Sequence, residues 1–325
     1  MKKLLSVVLV LCLLLGLAGC GSTSQGADTT VAPNTGSADT LAVPSSITPL
    51  LYQVTDAEGH TIWLFGSIHV GREDFYPLPE YVTAAFDQAE ALAVEFDVRL
   101  YEQDMAAQVQ DLLNYTYIDG TTIQDYIDPE LYQEAVALLP SSGMPEDMMK
   151  LYKPIFWATL IEAASYETET TSATLGIDLH MIDAAYARNM PVLSIESPDF
   201  QSSTTANFSP ELQELCLRQA VDNAPYASQD LLDLLDLWVS GDEEAFSEYL
   251  NATQEMPEDI AALMEEYNKA MIIDRNLNMT DYAEDLLAEG KPTMICVGAA
   301  HIVGEGAMAQ LLAERGYTVT RVMPE

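Results

Sequence analysis

Two tetrapeptides, Gly66-Ser67-Ile68-His69 and Gly298-Ala299-Ala300-His301, hold two of the four histidines in this 325-residue chain. Each closes an apolar run, Thr61 to Ile68 in one case and Thr293 to Val297 in the other, that reads as a β-strand. An imidazole at a strand end can take up a proton, return it, or bind a divalent cation through a ring nitrogen. Gly66 and Gly298 lack a Cβ, so the backbone can turn sharply there and approach a ligand. The matching contexts predict one shared cleft built from two strand ends far apart in sequence.

Carboxylates fall at the same kind of position. Glu95 ends the run Ala91 to Phe96, and Glu196 follows the short strand Val192 to Ile195. Open α/β sheets place ligands beyond the C-terminal ends of their strands, which would put His69, Glu95, Glu196 and His301 around one hollow. Two neutral imidazoles with one or two carboxylates are a reasonable donor set for a divalent metal ion. Each residue also has an ordinary structural use. Either histidine could pack near a strand end, Glu95 could cap a helix or join a salt bridge, and Glu196 could belong to the turn with Ser197 and Pro198. Within Gly176-Ile177-Asp178-Leu179-His180, Asp178 is either an N-terminal helix cap or a further ligand. From the first turn of a helix both Asp178 and His180 could reach the cleft. Arg275 is one of only thirteen Lys and Arg residues; it could pair with a site carboxylate, bind an anionic group, or make an ordinary helix salt bridge. His60, in a hairpin turn, reads as solvent-facing. The chain has no His-Glu-x-x-His, no Gly-x-Ser-x-Gly elbow and no complete phosphate-binding loop.

The elements that must hold these residues read as an α/β fold. A hairpin of strands at 50–54 and 61–68 leads to a helix at about 78–90 and a strand at 91–96. Helices are expected at about 99–113, 129–139, 154–166, 176–188, 210–236, 242–250, 257–267 and 271–289, with a strand at 192–195. The chain closes with a strand at 293–297, a helix at 304–313 and a strand at 317–322. We therefore expect one domain over 47–325. It would have a central, mostly β-sheet core, paired strand–Gly-x-x-His–helix elements at its two ends, and a large helical insertion over about 99–290.

Residues 1–19 read as a leader. Lys2 and Lys3 precede an apolar run from Leu4 to Leu17, too short for a stable spanning helix. The closing Leu17-Ala18-Gly19-Cys20 resembles a bacterial lipoprotein signal. That resemblance implies cleavage before Cys20, lipid on its thiol and new amino group, and a protein held at the outer face of the bacterial cell membrane. Residues 20–46, rich in Gly, Ser, Thr, Ala and Pro, cannot offset their ordering entropy by burial and read as a tether. The chain carries 51 Asp and Glu against 13 Lys and Arg, a formal net charge of −38. Such a surface repels nucleic acid and anionic lipid, so membrane attachment would rest on the anchor alone. Cys216 and Cys296 are too few and scattered for a disulfide scaffold, although a single bridge between them is compatible with the sequence.

These pieces together resemble the TraB/PrgY/GumN family, related to the TIKI metalloproteases. The resemblance is carried by Leu64-Phe65-Gly66-Ser67-Ile68-His69, Tyr76-Pro77-Leu78-Pro79, Glu95 after its strand and Gly176-Ile177-Asp178. It continues through Glu196, Arg275-Asn276, Val297-Gly298-Ala299-Ala300-His301 and Arg315-Gly316-Tyr317-Thr318-Val319. It implies a lipid-anchored, extracytoplasmic peptidase or related hydrolase acting on peptides or proteins with a divalent metal ion: manganese first, cobalt or zinc otherwise. His69 and His301 would then ligate or flank the ion, with Glu95 as ligand or general base. Glu196 and Asp178 would be further ligands or supporting groups, and Arg275 would face an oxyanion or a substrate carboxylate. Two other expectations stay open: a non-enzymatic protein that captures a signalling peptide, and metal-independent hydrolysis with histidine as base, as similarity to erythromycin esterases suggests.

Overall fold

The computed structural model describes residues 47–140, 144–250 and 256–324. The leader, Cys20 and the tether lie outside the described residues. Six strands form one mixed sheet: β1 Leu51–Thr55, β2 Thr61–Ser67, β3 Ala91–Val94, β4 Val192–Ser194, β5 Thr293–Gly298 and β6 Thr318–Arg321. Their spatial order is β4-β3-β5-β2-β1-β6. The four strands β4, β3, β5 and β2 run parallel, while β1 is antiparallel to both β2 and β6. Every residue of β3 and β5 is buried, the pattern of a parallel sheet covered on both faces.

The register brings the two histidine turns together. Ser67 stands beside Gly298 and Val94 beside Cys296, so β2, β5 and β3 end level with one another. Ser194 of β4 pairs with Val94, and the Glu196 N–H donates to the Glu95 carbonyl at 2.8 Å. Four strand ends that lie far apart in the chain thus meet along one edge.

The expectation of a mostly β-sheet core is overturned. Among the described residues the strands are three to seven residues long and helices account for most of the chain. One hydrophobic cluster packs on the sheet, through Leu64, Phe65, Ile295, Val297 and Trp238. A second is helical and includes Ile155, Trp157, Leu212, Leu217 and Tyr267. The helical insertion between β3 and β5 therefore carries a core of its own. Helix Pro154–Tyr166 is buried along most of its length, and its apolar surface is covered by other helices, chiefly Pro210–Asn223.

Helix boundaries follow the caps. The helix expected at 99–113 divides because Asp97 accepts from Arg99 N and Leu100 N, and Asp104 then starts a new helix by accepting from Ala106 N and Ala107 N. The one expected at 210–236 is two, Pro210–Asn223 and Ala227–Ser240. Conversely, the two expected at 257–267 and 271–289 are joined by a π-helical turn, Lys269–Ile273. Cys216 and Cys296 are both free and buried, one in the helical core and one in β5, so no bridge links them.

Candidate functional site

His69 lies just beyond β2, and its partner comes from the helix Ile177–Ala187. The Ile177 N–H donates to the Ile68 carbonyl at 2.9 Å, and the Tyr76 hydroxyl donates to the Leu175 carbonyl at 2.8 Å. These bonds press the start of that helix against the strand end. A Cβ on Gly176 would sit 2.5 Å from the His69 carbonyl oxygen, so only glycine allows the approach. Asp178, in the first helical turn, then meets the imidazole: Oδ2 is 3.2 Å from His69 Nδ1. On the other side of the ring, Nε2 is 3.8 Å from Glu95 Oε1.

Glu95 is the hub. Its Oε1 accepts from the Gly298 N–H at 3.0 Å. Its Oε2 accepts from Arg275 Nη2 at 2.6 Å and from Gln201 Nε2 at 3.0 Å. Glu196 shares both partners, taking Arg275 Nε at 2.9 Å, Arg275 Nη2 at 2.8 Å and Gln201 Nε2 at 2.7 Å. Arg275 is thus clamped between two carboxylates, a geometry that a guanidinium fork suits and an ammonium does not. His301 completes the layer. Its Nδ1 is 2.7 Å from Asn276 Oδ1, while Asn276 Nδ2 donates to the Gly306 carbonyl at 2.9 Å. His301 Nε2 is buried without a hydrogen-bond partner.

His69, Glu95, Asp178, Arg275, Asn276 and His301 are each no more than 5% exposed, so their charges act on one another with little screening by water. Burial pushes the Glu95 carboxyl up, but Arg275 first, then His69, His301 and the Gly298 N–H, outweigh it and hold Glu95 well below the usual carboxylate range. Burial, with Arg275 close by, pushes the His301 imidazole down to about 3 against the opposing pull of Glu95. His301 is therefore neutral at physiological pH. With a proton on Nδ1 for Asn276, its Nε2 lone pair faces inward.

Much of the carboxylate set expected to bind a divalent ion is engaged by Arg275. The inward nitrogens are suitable donors in type, but Arg275 engages Glu95 Oε2 and both oxygens of Glu196, while Glu95 Oε1 accepts from the Gly298 N–H and the Asp178 carboxylate sits beside His69. Among the described residues, no group of three or more His, Cys, Asp or Glu side chains is arranged to hold a metal ion.

His69, Glu95, Glu196, Arg275, Asp178 and His301, all singled out from sequence, thus lie in one connected layer. His180 does not join it: its ring stacks on Tyr76 with centroids 4.3 Å apart. His60 is tied to Asp56, Nδ1 to Oδ2 at 2.8 Å. Two members carried no assigned role in the sequence. Gln201 sits one helical turn after the Ser197 cap of helix Pro198–Ala206, a spacing that returns its side chain toward Glu196. Asn276 follows Arg275, and the pair Arg275-Asn276 is part of the family resemblance, which gives Asn276 no role of its own.

The chain belongs to the TraB/PrgY/gumN family, which matches it across residues 50–321. It is 22% identical over 249 residues to the uncharacterized protein YbaP of Escherichia coli K12 and, to the same extent, to that of Shigella flexneri; the match covers 77% of this chain and 86% of each relative. No solved structure matches it.

Proposed function

We propose that this member of the TraB/PrgY/gumN family is a hydrolase of acyl bonds, ester or peptide, in which His69 is the general base and no metal ion takes part. The observation that carries this reading is the Asp178 carboxylate on His69 Nδ1, 3.2 Å away. A neutral His69 that keeps its proton on Nδ1, the nitrogen facing the Asp178 carboxylate, leaves the Nε2 lone pair toward the Glu95 side of the site. Nε2 then takes a proton from water as the oxygen attacks the acyl carbon, and the imidazolium hands that proton to the leaving group. Asp178 fixes the tautomer and stabilises the imidazolium, the role such a carboxylate plays in hydrolytic triads.

Glu95 is a poor proton acceptor while Arg275 holds it ionised, so the base role falls to the histidine. Its negative charge near Nε2 still favours the imidazolium. Arg275 spends Nε and Nη2 on the two glutamates and acts here by setting the field. The substrate class is a peptide or related acyl compound, met at the outer membrane face if Cys20 carries lipid.

The test is turnover of a panel of p-nitrophenyl acyl esters and fluorogenic peptides. Activity should survive dialysis against EDTA and fall by about 10²–10⁴-fold in His69→Ala. Cleavage that disappears with EDTA and returns with manganese would replace this reading with the metal-dependent peptidase that the TIKI resemblance implies. Peptides held tightly and recovered intact, with nothing in the panel cleaved, would make the protein a peptide-capturing module.

A further inference from the structure

Arg275 and Asn276 stand at the junction of two helical segments with different neighbours. Glu258–Asn268, the π turn Lys269–Ile273 and Asp274–Glu289 form one continuous rod. Within the π turn the Asp274 N–H donates to the Lys269 carbonyl, five residues back. Ahead of the junction, Met264, Tyr267 and Met271 are buried in the helical core. Beyond it, Met279, Ala283, Leu286 and Leu287 are buried against the sheet.

The spacing of these positions conflicts with a plain α-helix. From Tyr267 through Met271, Arg275 and Met279 to Ala283 the buried residues recur every four. An α-helix advances about 100° per residue, so each such step overshoots a full turn by about 40°. Left uncorrected, the buried stripe would wind around the rod, and Arg275 and Asn276 would swing about 100° away from where the upstream face directs them. One extra residue in a single turn removes that angle. It returns Arg275, Met279 and Ala283 to the face that Met264 and Tyr267 bury. Single π turns inside α-helices recur at functional sites for this kind of reason.

We propose that the extra residue of the π turn Lys269–Ile273 is the positioning element of the site, setting Arg275 onto Glu95 and Glu196 and Asn276 onto His301 while both halves of the helix stay seated in their own cores. The catalytic consequence rests on the hydrolase reading; the positioning itself does not. The turn makes no contact with reacting atoms, and it acts only through Arg275 and Asn276.

Deletion of Ile273, which is 53% exposed, tests it. The deletion should convert the turn to α-helix, lower ester or peptide turnover by about 100-fold or more, and abolish the hydrogen-bonded Nδ1–H resonance of His301 in ¹⁵N NMR. Combining the deletion with an alanine inserted between Asn268 and Lys269 restores the length, keeping Met264 and Tyr267 in register with Arg275 and Met279 and shifting only residues 269–272. It should restore both readouts. A deletion variant with an unchanged His301 resonance would overturn the proposal. So would a restored-length variant that folds yet lacks that resonance, and this second variant decides the matter if the simple deletion does not fold. Because the His301 signal needs no substrate, it separates failure of this proposal from failure of the hydrolase reading.

Discussion

Glu95 and Glu162 are buried to nearly the same degree, 4% and 5% exposed, and their proton affinities shift in opposite directions. Burial pushes both carboxyls up. At Glu95, Arg275 and the surrounding donors reverse the effect. At Glu162, in helix Pro154–Tyr166 of the helical core, burial alone acts and the carboxyl stays well above its ordinary value. Three N–H groups converge on Glu95, from Arg275, Gln201 and Gly298, whereas Glu162 Oε1 has no hydrogen-bond partner. Tyr166 and Cys216, whose own ionisation Glu162 opposes, are its neighbours. One region has been organised to keep charge in a dry place, and the other offers its carboxyl nothing to offset the burial that disfavours charge. That contrast, more than burial itself, singles out the strand-end layer as the candidate site.

Removing the cation should erase the contrast with the largest effect. Arg275→Met leaves Glu95 and Glu196 buried with no positive partner and should cost about 3–5 kcal/mol of stability at pH 7. The sign of the pH dependence changes too. With Arg275 present, the depressed folded value of Glu95 contributes stability above the unfolded-chain value, and that stability is lost as pH falls through the folded value. In the variant, acidification should instead recover stability, because the stranded carboxylates become neutral. Urea unfolding at pH 7 and pH 4 measures both effects. A cost under about 1 kcal/mol, the range of an exposed ion pair, would place Arg275 with the surface bridges and break the comparison.

A smaller structural change should separate chemistry from charge burial. Asp178→Asn keeps the shape of the His69 partner and removes its charge, so the fold should persist with a melting temperature close to that of the unaltered chain. Turnover should fall by about 10²–10⁴-fold, matching His69→Ala within a few-fold because the two act as a unit. Full activity in Asp178→Asn would leave the carboxylate a structural tie and remove the basis for choosing His69 as the base.

Much of this site was legible from residue type and place. His69, Glu95, Glu196 and His301 each end an apolar run, and parallel strands in register bring such ends together. The less legible parts depend on register between elements that no local pattern encodes. Asn276 reaches His301 only because a π turn precedes it, and the interruption at Lys269–Ile273 looks in sequence like a gap between two helices. Gln201 needed β4 to pair with β3 before its reach to Glu95 existed. The weight of the helical core is hidden in the sequence for a similar reason. Helices such as Pro154–Tyr166 and Pro210–Asn223 announce apolar faces, but whether those faces cover the sheet or one another is settled by packing alone. Glu162 lies in the middle of one such helix, and nothing near it in sequence signals an isolated buried acid.

That acid supplies the gentlest test of the comparison. Because its folded value lies above the unfolded-chain value, the folded state holds a proton that the unfolded chain releases above about pH 4.3. Stability therefore declines as pH rises from there toward the raised folded value. Glu162→Gln replaces the carboxyl with a side chain of similar shape that cannot ionise. The two proteins should unfold at nearly the same urea concentration at pH 4, and the variant should become the more stable one as pH increases toward 7. Parallel stability curves across that range would mean that Glu162 is as well served by its surroundings as Glu95, and charge management would no longer distinguish the strand-end layer from the helical core.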